Sequence, residues 1–199
     1  ATNDIPSINL PDSFTYDEDE SLTQDFTSYL GDIDGDDLTL TVSDNINVTA
    51  EIAGFQVTFG AFPDWNGTET LSFTVDDSQG RAIATDDLSV IVTPVNDSPV
   101  LSTIGDQQTD EDNALTIPVS AVDVDEDDLI FSVLSSNPEV VSASLDDNNL
   151  ILTPSLNYYG AVNVTVTVSD GELTDSETFV LQVTALNDAP PILTEISDQ

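Results

Sequence analysis

The stretch that decides the fold is Thr93-Pro94-Val95-Asn96-Asp97-Ser98-Pro99-Val100-Leu101, because its core phrase occurs three times. It stands as Asn3-Asp4-Ile5-Pro6 near the start and as Asn187-Asp188-Ala189-Pro190 near the end. Each interval is a little over ninety residues, the length of a small domain, so the chain reads as an array of copies. The copies align inside the interval as well. Asp17-Glu18-Asp19 is answered by Asp110-Glu111-Asp112, and Asp32-Ile33-Asp34 by Asp123-Val124-Asp125. Gly67 matches Gly160, and Asp77 matches Asp170. The expected division is residues 1–95, residues 96–187, and residues 188–199 as the start of a truncated third copy.

Periodicity sets the class. Leu38-Thr39-Leu40-Thr41-Val42 alternates with period two, as a strand with one buried face does. Further runs at residues 46–52, 55–59, 71–75 and 88–92 follow, with Ala53-Gly54 as a hairpin tip. Residues 7–16 read as one proline-interrupted edge strand and residues 22–30 as another strand. The second copy repeats the scheme at residues 115–119, 129–134, 140–145, 150–153, 162–168 and 178–184. Short, evenly spaced strands with Gly, Asn, Asp and Pro between them indicate an all-β fold: two tandem seven-stranded Greek-key sandwiches, end to end.

Composition then narrows function. There are 39 Asp and Glu against one basic residue, Arg81, for a net charge of -38. Such a surface repels nucleic acid and anionic membranes, so neither is expected as a partner. Cysteine is absent, which removes disulfides and thiolate metal sites. Apolar residues make up 39% of the chain and alternate regularly, so the acidity does not signal disorder.

In a sandwich the loops gather at two poles. Strand counting puts Asp32, Asp34 and Asp77 at the pole where the chain comes in, with Asn3 and Asp4. Glu18 and Asp19 fall at the opposite pole, beside the linker. At the middle junction this predicts a gathering of Glu18, Asp19, Asn96, Asp97, Asp123, Asp125 and Asp170; Glu111, Asp112, Asn187 and Asp188 are the corresponding set at the far end. Two carboxylates about 4 Å apart repel by about 4 kcal/mol at an effective dielectric near 20, so several such contacts would exceed the stability of a small domain unless a cation is present. Lysine and histidine are missing, so an external ion must supply the charge. Oxygen-only ligands in number favour Ca²⁺ over Zn²⁺, Cu²⁺ or Mg²⁺. An EF-hand does not fit, since the twelfth position from Asp32 is Ser43 and from Asp123 is Leu134.

Together the acidic clusters, the Asp-x-Asp pairs, Asp77 and Asp170, and the Asn-Asp-x-Pro linkers resemble cadherin and bacterial cadherin-like repeats. The resemblance implies calcium ions shared between the Glu of one repeat, the linker, and the Asp-x-Asp of the next, with the array stiffened as a result. It differs from animal cadherins at Pro94 and Ser98, and at Pro63-Asp64-Trp65-Asn66-Gly67 where those carry Leu-Asp-Arg-Glu. The form is closer to repeats of large bacterial surface adhesins. The expectation is a non-enzymatic, calcium-binding extender on a secreted or cell-surface protein, with neighbouring repeats as partners. A carbohydrate-binding module of a polysaccharide-degrading or biofilm protein is the alternative, and adhesion to another cell-surface copy a third. Trp65 and Tyr158, just before equivalent glycines, are expected to plug the two cores, against a sugar-stacking role.

Overall fold

The computed structural model describes residues 3–43, 45–79 and 83–187. The chain divides into two compact units, Ala1–Val95 and Asn96–Gln199. The expected third copy, residues 188–199, lies outside the described residues.

The first unit contains β1 (Ser7–Ile8), β2 (Ser13–Asp17), β3 (Leu22–Asp25), β4 (Leu30–Gly31), β5 (Thr39–Ser43), β6 (Val48–Ala53), β7 (Gln56–Ala61), β8 (Gly67–Asp76) and β9 (Ile83–Thr93). A four-stranded sheet β2-β9-β8-β5 and a three-stranded sheet β3-β7-β6 supply the seven strands of a sandwich. A short antiparallel pair, β1-β4, accompanies them. The second unit repeats the arrangement with β10 (Val100–Leu101), β11 (Gln107–Asp110), β12 (Leu115–Pro118), β13 (Ala121–Val122), β14 (Ile130–Ser135), β15 (Val141–Asp146), β16 (Asn149–Pro154), β17 (Gly160–Ser169) and β18 (Thr174–Thr184). Its sheets are β11-β18-β17-β14, β12-β16-β15 and the pair β10-β13.

Alternation places the core. Leu71, Phe73 and Val75 of β8 and Leu88, Val90 and Val92 of β9 point inward, and so do Val162, Val164, Val166 and Val168 of β17. Burying each such side chain is worth about 1.5–3 kcal/mol, which is what holds the sheets face to face. In the expected hairpin Ala53 pairs with Gln56, so Gly54 and Phe55 form a two-residue turn. Gly54 at φ 65 takes the first central position, where a type II′ turn requires a positive φ.

Two strands predicted as continuous are divided. Residues 7–16 form β1 and β2 with Pro11 between them; β1 runs antiparallel to β4, while β2 joins the larger sheet parallel to β9. Proline has no N–H to give, and here the strand changes sheets. Residues 22–30 break after Asp25, whose carboxylate accepts the N–H and hydroxyl of Thr27 and folds Thr27–Tyr29 into one 3₁₀ turn. This Asx-type competition with the ladder ends the strand.

Candidate metal centre

At the incoming pole of the first unit, the loop between β4 and β5 is tied by Asp32. Its Oδ1 accepts the N–H of Gly35 at 2.8 Å and of Asp36 at 3.2 Å. Asp34 Oδ2 accepts the backbone N–H of Asp4 at 2.7 Å. Asp77, 1% exposed, accepts Asn3 Nδ2 at 2.8 Å through Oδ2 and the Gln79 N–H at 2.9 Å through Oδ1. Asn3, Asp4, Asp32, Asp34 and Asp77 are therefore one assembly.

The second unit rebuilds it. Asp123 Oδ1 accepts the N–H of Asp125 at 3.0 Å and of Asp127 at 3.4 Å. Asp125 Oδ2 accepts the Asp97 N–H at 2.7 Å, and Asp170 Oδ2 accepts Asn96 Nδ2 at 3.0 Å. Asp170 Oδ1 also takes the N–H groups of Glu172 and Leu173, both at 2.7 Å. Glu126, at φ 63, stands where the first copy has Gly35, at φ 76.

The electrostatics of the two loops are alike. One carboxylate oxygen from each of Asp32, Asp34 and Asp36 lies within 4.8 Å of the others, and Asp123, Asp125 and Asp127 form the same cluster. Loss of hydration, then the charges of Asp32, Asp34, Asp77 and Asp37, push the Asp36 carboxyl above its ordinary range. Asp127 is raised in the same way, by loss of hydration and then by Asp123, Asp125, Asp170 and Glu172. Asp170 is lowered, chiefly by the N–H groups of Glu172 and Leu173. Asp32 Oδ2 and Asp123 Oδ2 are each buried without a hydrogen-bond partner among the described residues. A buried carboxylate oxygen without a donor is costly, and a hard cation on the same side would satisfy it. A cleft of about 320 Å³ beside Asn3, Asp34, Asp36 and Gln79 gives access to the first loop.

Glu18 and Asp19 lie at the other end of the first unit. Glu18 follows β2, whose last residue pairs with Thr93 at the end of β9, whereas Asp77 follows β8, whose last residue pairs with Ile83 at the start of β9. At about 3.3 Å per residue the length of β9 separates them by roughly 30 Å. Glu18 is 2% exposed and Glu111 3%. Glu18 Oε1 accepts the Val95 N–H at 2.8 Å, with Asn66 Nδ2 at 3.4 and 3.5 Å from its two oxygens. Glu111 Oε1 accepts the Leu186 N–H at 2.6 Å. Asp19 and Asp112 hold the turns before β8 and β17, accepting the N–H of Asp64 at 3.4 Å and of Asn157 at 2.8 Å. Asn187 is exposed, and Asp188 lies outside the described residues.

Asp36 and Asp127 were not singled out from the sequence, although each extends its Asp-x-Asp pair by one more alternate position. Other acids serve the backbone. Glu69 accepts from Ile46, Asn47 and Val48, and Glu177 from Ile104 and Gly105. Asp86 and Asp175 accept the N–H of Leu10 and Leu101. Trp65 and Tyr158 are half-buried and pack against the two cores, each beside the glycine two residues on. A Cβ on Gly67 would come within 3.0 Å of the Trp65 ring.

Among solved structures the chain is similar to Drosophila N-cadherin EC1-4, at 17% identity and TM-score 0.59, over 93% of this chain and 50% of that one. It is equally similar to human protocadherin-24 EC1-2, at 17% identity and TM-score 0.59, over 93% and 100%. An endo-fucoidan hydrolase from glycoside hydrolase family 107 aligns at 18% identity and TM-score 0.42 over 92% of this chain, which spans 29% of that one. Identities this low speak to the fold alone, and the last likeness carries no argument. No curated protein matches the sequence. No helix among the described residues is long and apolar enough to cross a membrane. The bacterial Ig domain model matches residues 3–93 and again residues 96–183, so this cadherin-like tandem repeat belongs to the bacterial Ig domain family.

Proposed function

We propose that the two repeats are calcium-binding extender modules of a secreted or cell-surface bacterial adhesin. The observation that supports this most is the recurrence, in both repeats, of a buried and unpartnered carboxylate oxygen within a three-aspartate cluster. All available ligand atoms are oxygens, and the chain's only basic residue is Arg81. That donor set suits Ca²⁺. Asp32, Asp34, Asp36 and Asp77 would hold the ion in the first repeat, and Asp123, Asp125, Asp127 and Asp170 in the second. The incoming Asn3-Asp4 and Asn96-Asp97 phrases would add to each set.

The ion supplies positive charge that offsets mutual repulsion; the chain's own residues do the rest. Asp32 and Asp123 shape their loops through backbone N–H groups, and Asn3 and Asn96 orient Asp77 and Asp170. The proposal extends to the linker. Glu18, with Asp19 next to it, accepts the N–H of Val95, and Asn96 and Asp97 follow directly as the next repeat begins, so an ion shared along this segment would stiffen the array. Extracellular modules bind calcium at about 10⁻⁴ to 10⁻³ M, so such an array would be stiff outside the cell. A spacer of this kind needs no catalytic group.

Small-angle scattering with and without chelator tests the reading. The radius of gyration should be larger with calcium, as for a rod, and smaller in chelator; superimposable profiles would remove the stiffening role. The carbohydrate-binding alternative draws no support from Trp65 and Tyr158, which are half-buried and pack against the two cores.

A further inference from the structure

We infer that the linker is latched by its own backbone on both sides without any ion, which leaves one narrow pivot at Val95-Asn96. This deepens the calcium reading by naming what the ion would have to stiffen, but the latch itself requires no metal. The observations lie within single repeats. The Val95 N–H is bound by Glu18 of the repeat it leaves, at 2.8 Å. One residue later the hold changes: Asn96 Nδ2 is bound to Asp170 at 3.0 Å and the Asp97 N–H to Asp125 at 2.7 Å, both in the repeat being entered. Peptide bonds are planar, so the backbone between these holds can turn only through the φ and ψ of Val95 and Asn96.

The same parts recur. At the start of the first repeat Asn3 binds Asp77 and the Asp4 N–H binds Asp34. At the end of the second, Glu111 binds the Leu186 N–H at 2.6 Å, immediately before Asn187. Each repeat thus carries an outgoing grip on the residue before the Asn-Asp phrase and an incoming grip on the phrase itself. Both gripping glutamates are almost fully buried, 2% and 3% exposed, so their hydrogen bonds are shielded from competing water. Glu18 and Asp125 are in this sense positioning residues for the linker. An ion that stiffened the junction would have two residues' torsions to fix rather than a free tether.

Amide hydrogen exchange on the whole chain in excess chelator tests the latch. The Val95 and Asp97 amides should exchange about tenfold or more slowly than an unstructured chain. Glu18→Ala should release Val95 alone, while Glu18→Gln, whose amide oxygen still accepts, should keep it protected. Asp125→Ala and Asp125→Asn should behave in the same way at Asp97, which provides the test if Glu18→Ala does not fold. Core amides of Val57 and Leu150 report folding. Unprotected Val95 and Asp97 in wild type with a protected core would overturn the latch, and so would protection that survives both alanine variants. Protection without calcium binding would overturn only the calcium reading; calcium binding without protection would overturn only the latch.

Discussion

The two repeats differ in their interiors and agree at their poles. The first core is aromatic: Phe14, Phe26, Phe59 and Phe73 form a chain of ring contacts, with centroids 5.0 Å apart for Phe26 and Phe73 and 6.2 Å for Phe59 and Phe73. The second is mainly aliphatic, built on Leu150, Leu152, Val164, Val166, Val168 and Leu181. Yet Asp34 and Asp125 accept corresponding linker N–H groups, and Asp77 and Asp170 corresponding asparagine amides. A core needs the right volume on the right face and tolerates different side chains. The acidic pole has kept its atoms while the packing beneath it changed, which is expected if its chemistry has a use of its own.

The largest effects should come from the interiors. Phe73→Ala should cost the first repeat about 3–5 kcal/mol and Leu152→Ala the second about 2–5 kcal/mol, each lowering one of two melting steps in calorimetry. A single step that moves equally in both variants would show that the repeats do not melt separately. Next come the poles. Calcium at a hundredfold excess over its dissociation constant should add about 2.7 kcal/mol per site. Asp123→Asn with Asp125→Asn should remove that gain from the second repeat's melting step and leave the first repeat's gain in place. Equal gains in wild type and the double variant would break the proposed equivalence of the poles.

Glu69 sharpens the comparison from the other side, since the second repeat has Val162 at its position. Glu69→Ala frees three backbone N–H groups and should destabilise the first repeat alone by about 2 kcal/mol in denaturant titration. Partial burial acts against the Glu69 charge, but the N–H groups of Ile46, Asn47 and Val48 outweigh it and lower its pKa. Its contribution is therefore present above the ordinary carboxylate value and lost as pH falls through the lower folded value. The smallest effect is the reverse one. Asp36 and Asp127 are raised in the folded chain, so in chelator they should contribute a slight gain in stability as pH falls through their raised values, levelling off below the ordinary value near 3.9. Asp36→Asn and Asp127→Asn should abolish that gain; an unchanged pH profile would mean that these two carboxyls do not set it.

Most of the fold was legible because buried strands announce themselves. The alternation in β5, β8, β9 and β17 is continuous, and the turn at Gly54 has the residue its geometry needs. What escaped was decided by distant or polar partners. β11, Gln107–Asp110, has no apolar pattern and owes its place to parallel pairing with β18. The break after Asp25 depends on a local side-chain hydrogen bond competing with the ladder. In the proposed site, the repeated acids stand out by their spacing. The roles of Asp86 and Asp175 do not, because the N–H groups they accept lie more than seventy residues away along the chain. Among so many aspartates, sequence spacing does not separate a carboxylate that satisfies the backbone from one that faces other carboxylates.

Calcium titration calorimetry on the wild-type chain and on the variant carrying Asp32→Asn, Asp34→Asn, Asp123→Asn and Asp125→Asn tests the central claim most directly. The wild type should take up calcium with a saturable heat in the submillimolar to millimolar range, and the fourfold variant, with its core amides still protected, should lose it. Equal calcium uptake by both, or none by the wild type, would contradict the assignment of these acids to a metal.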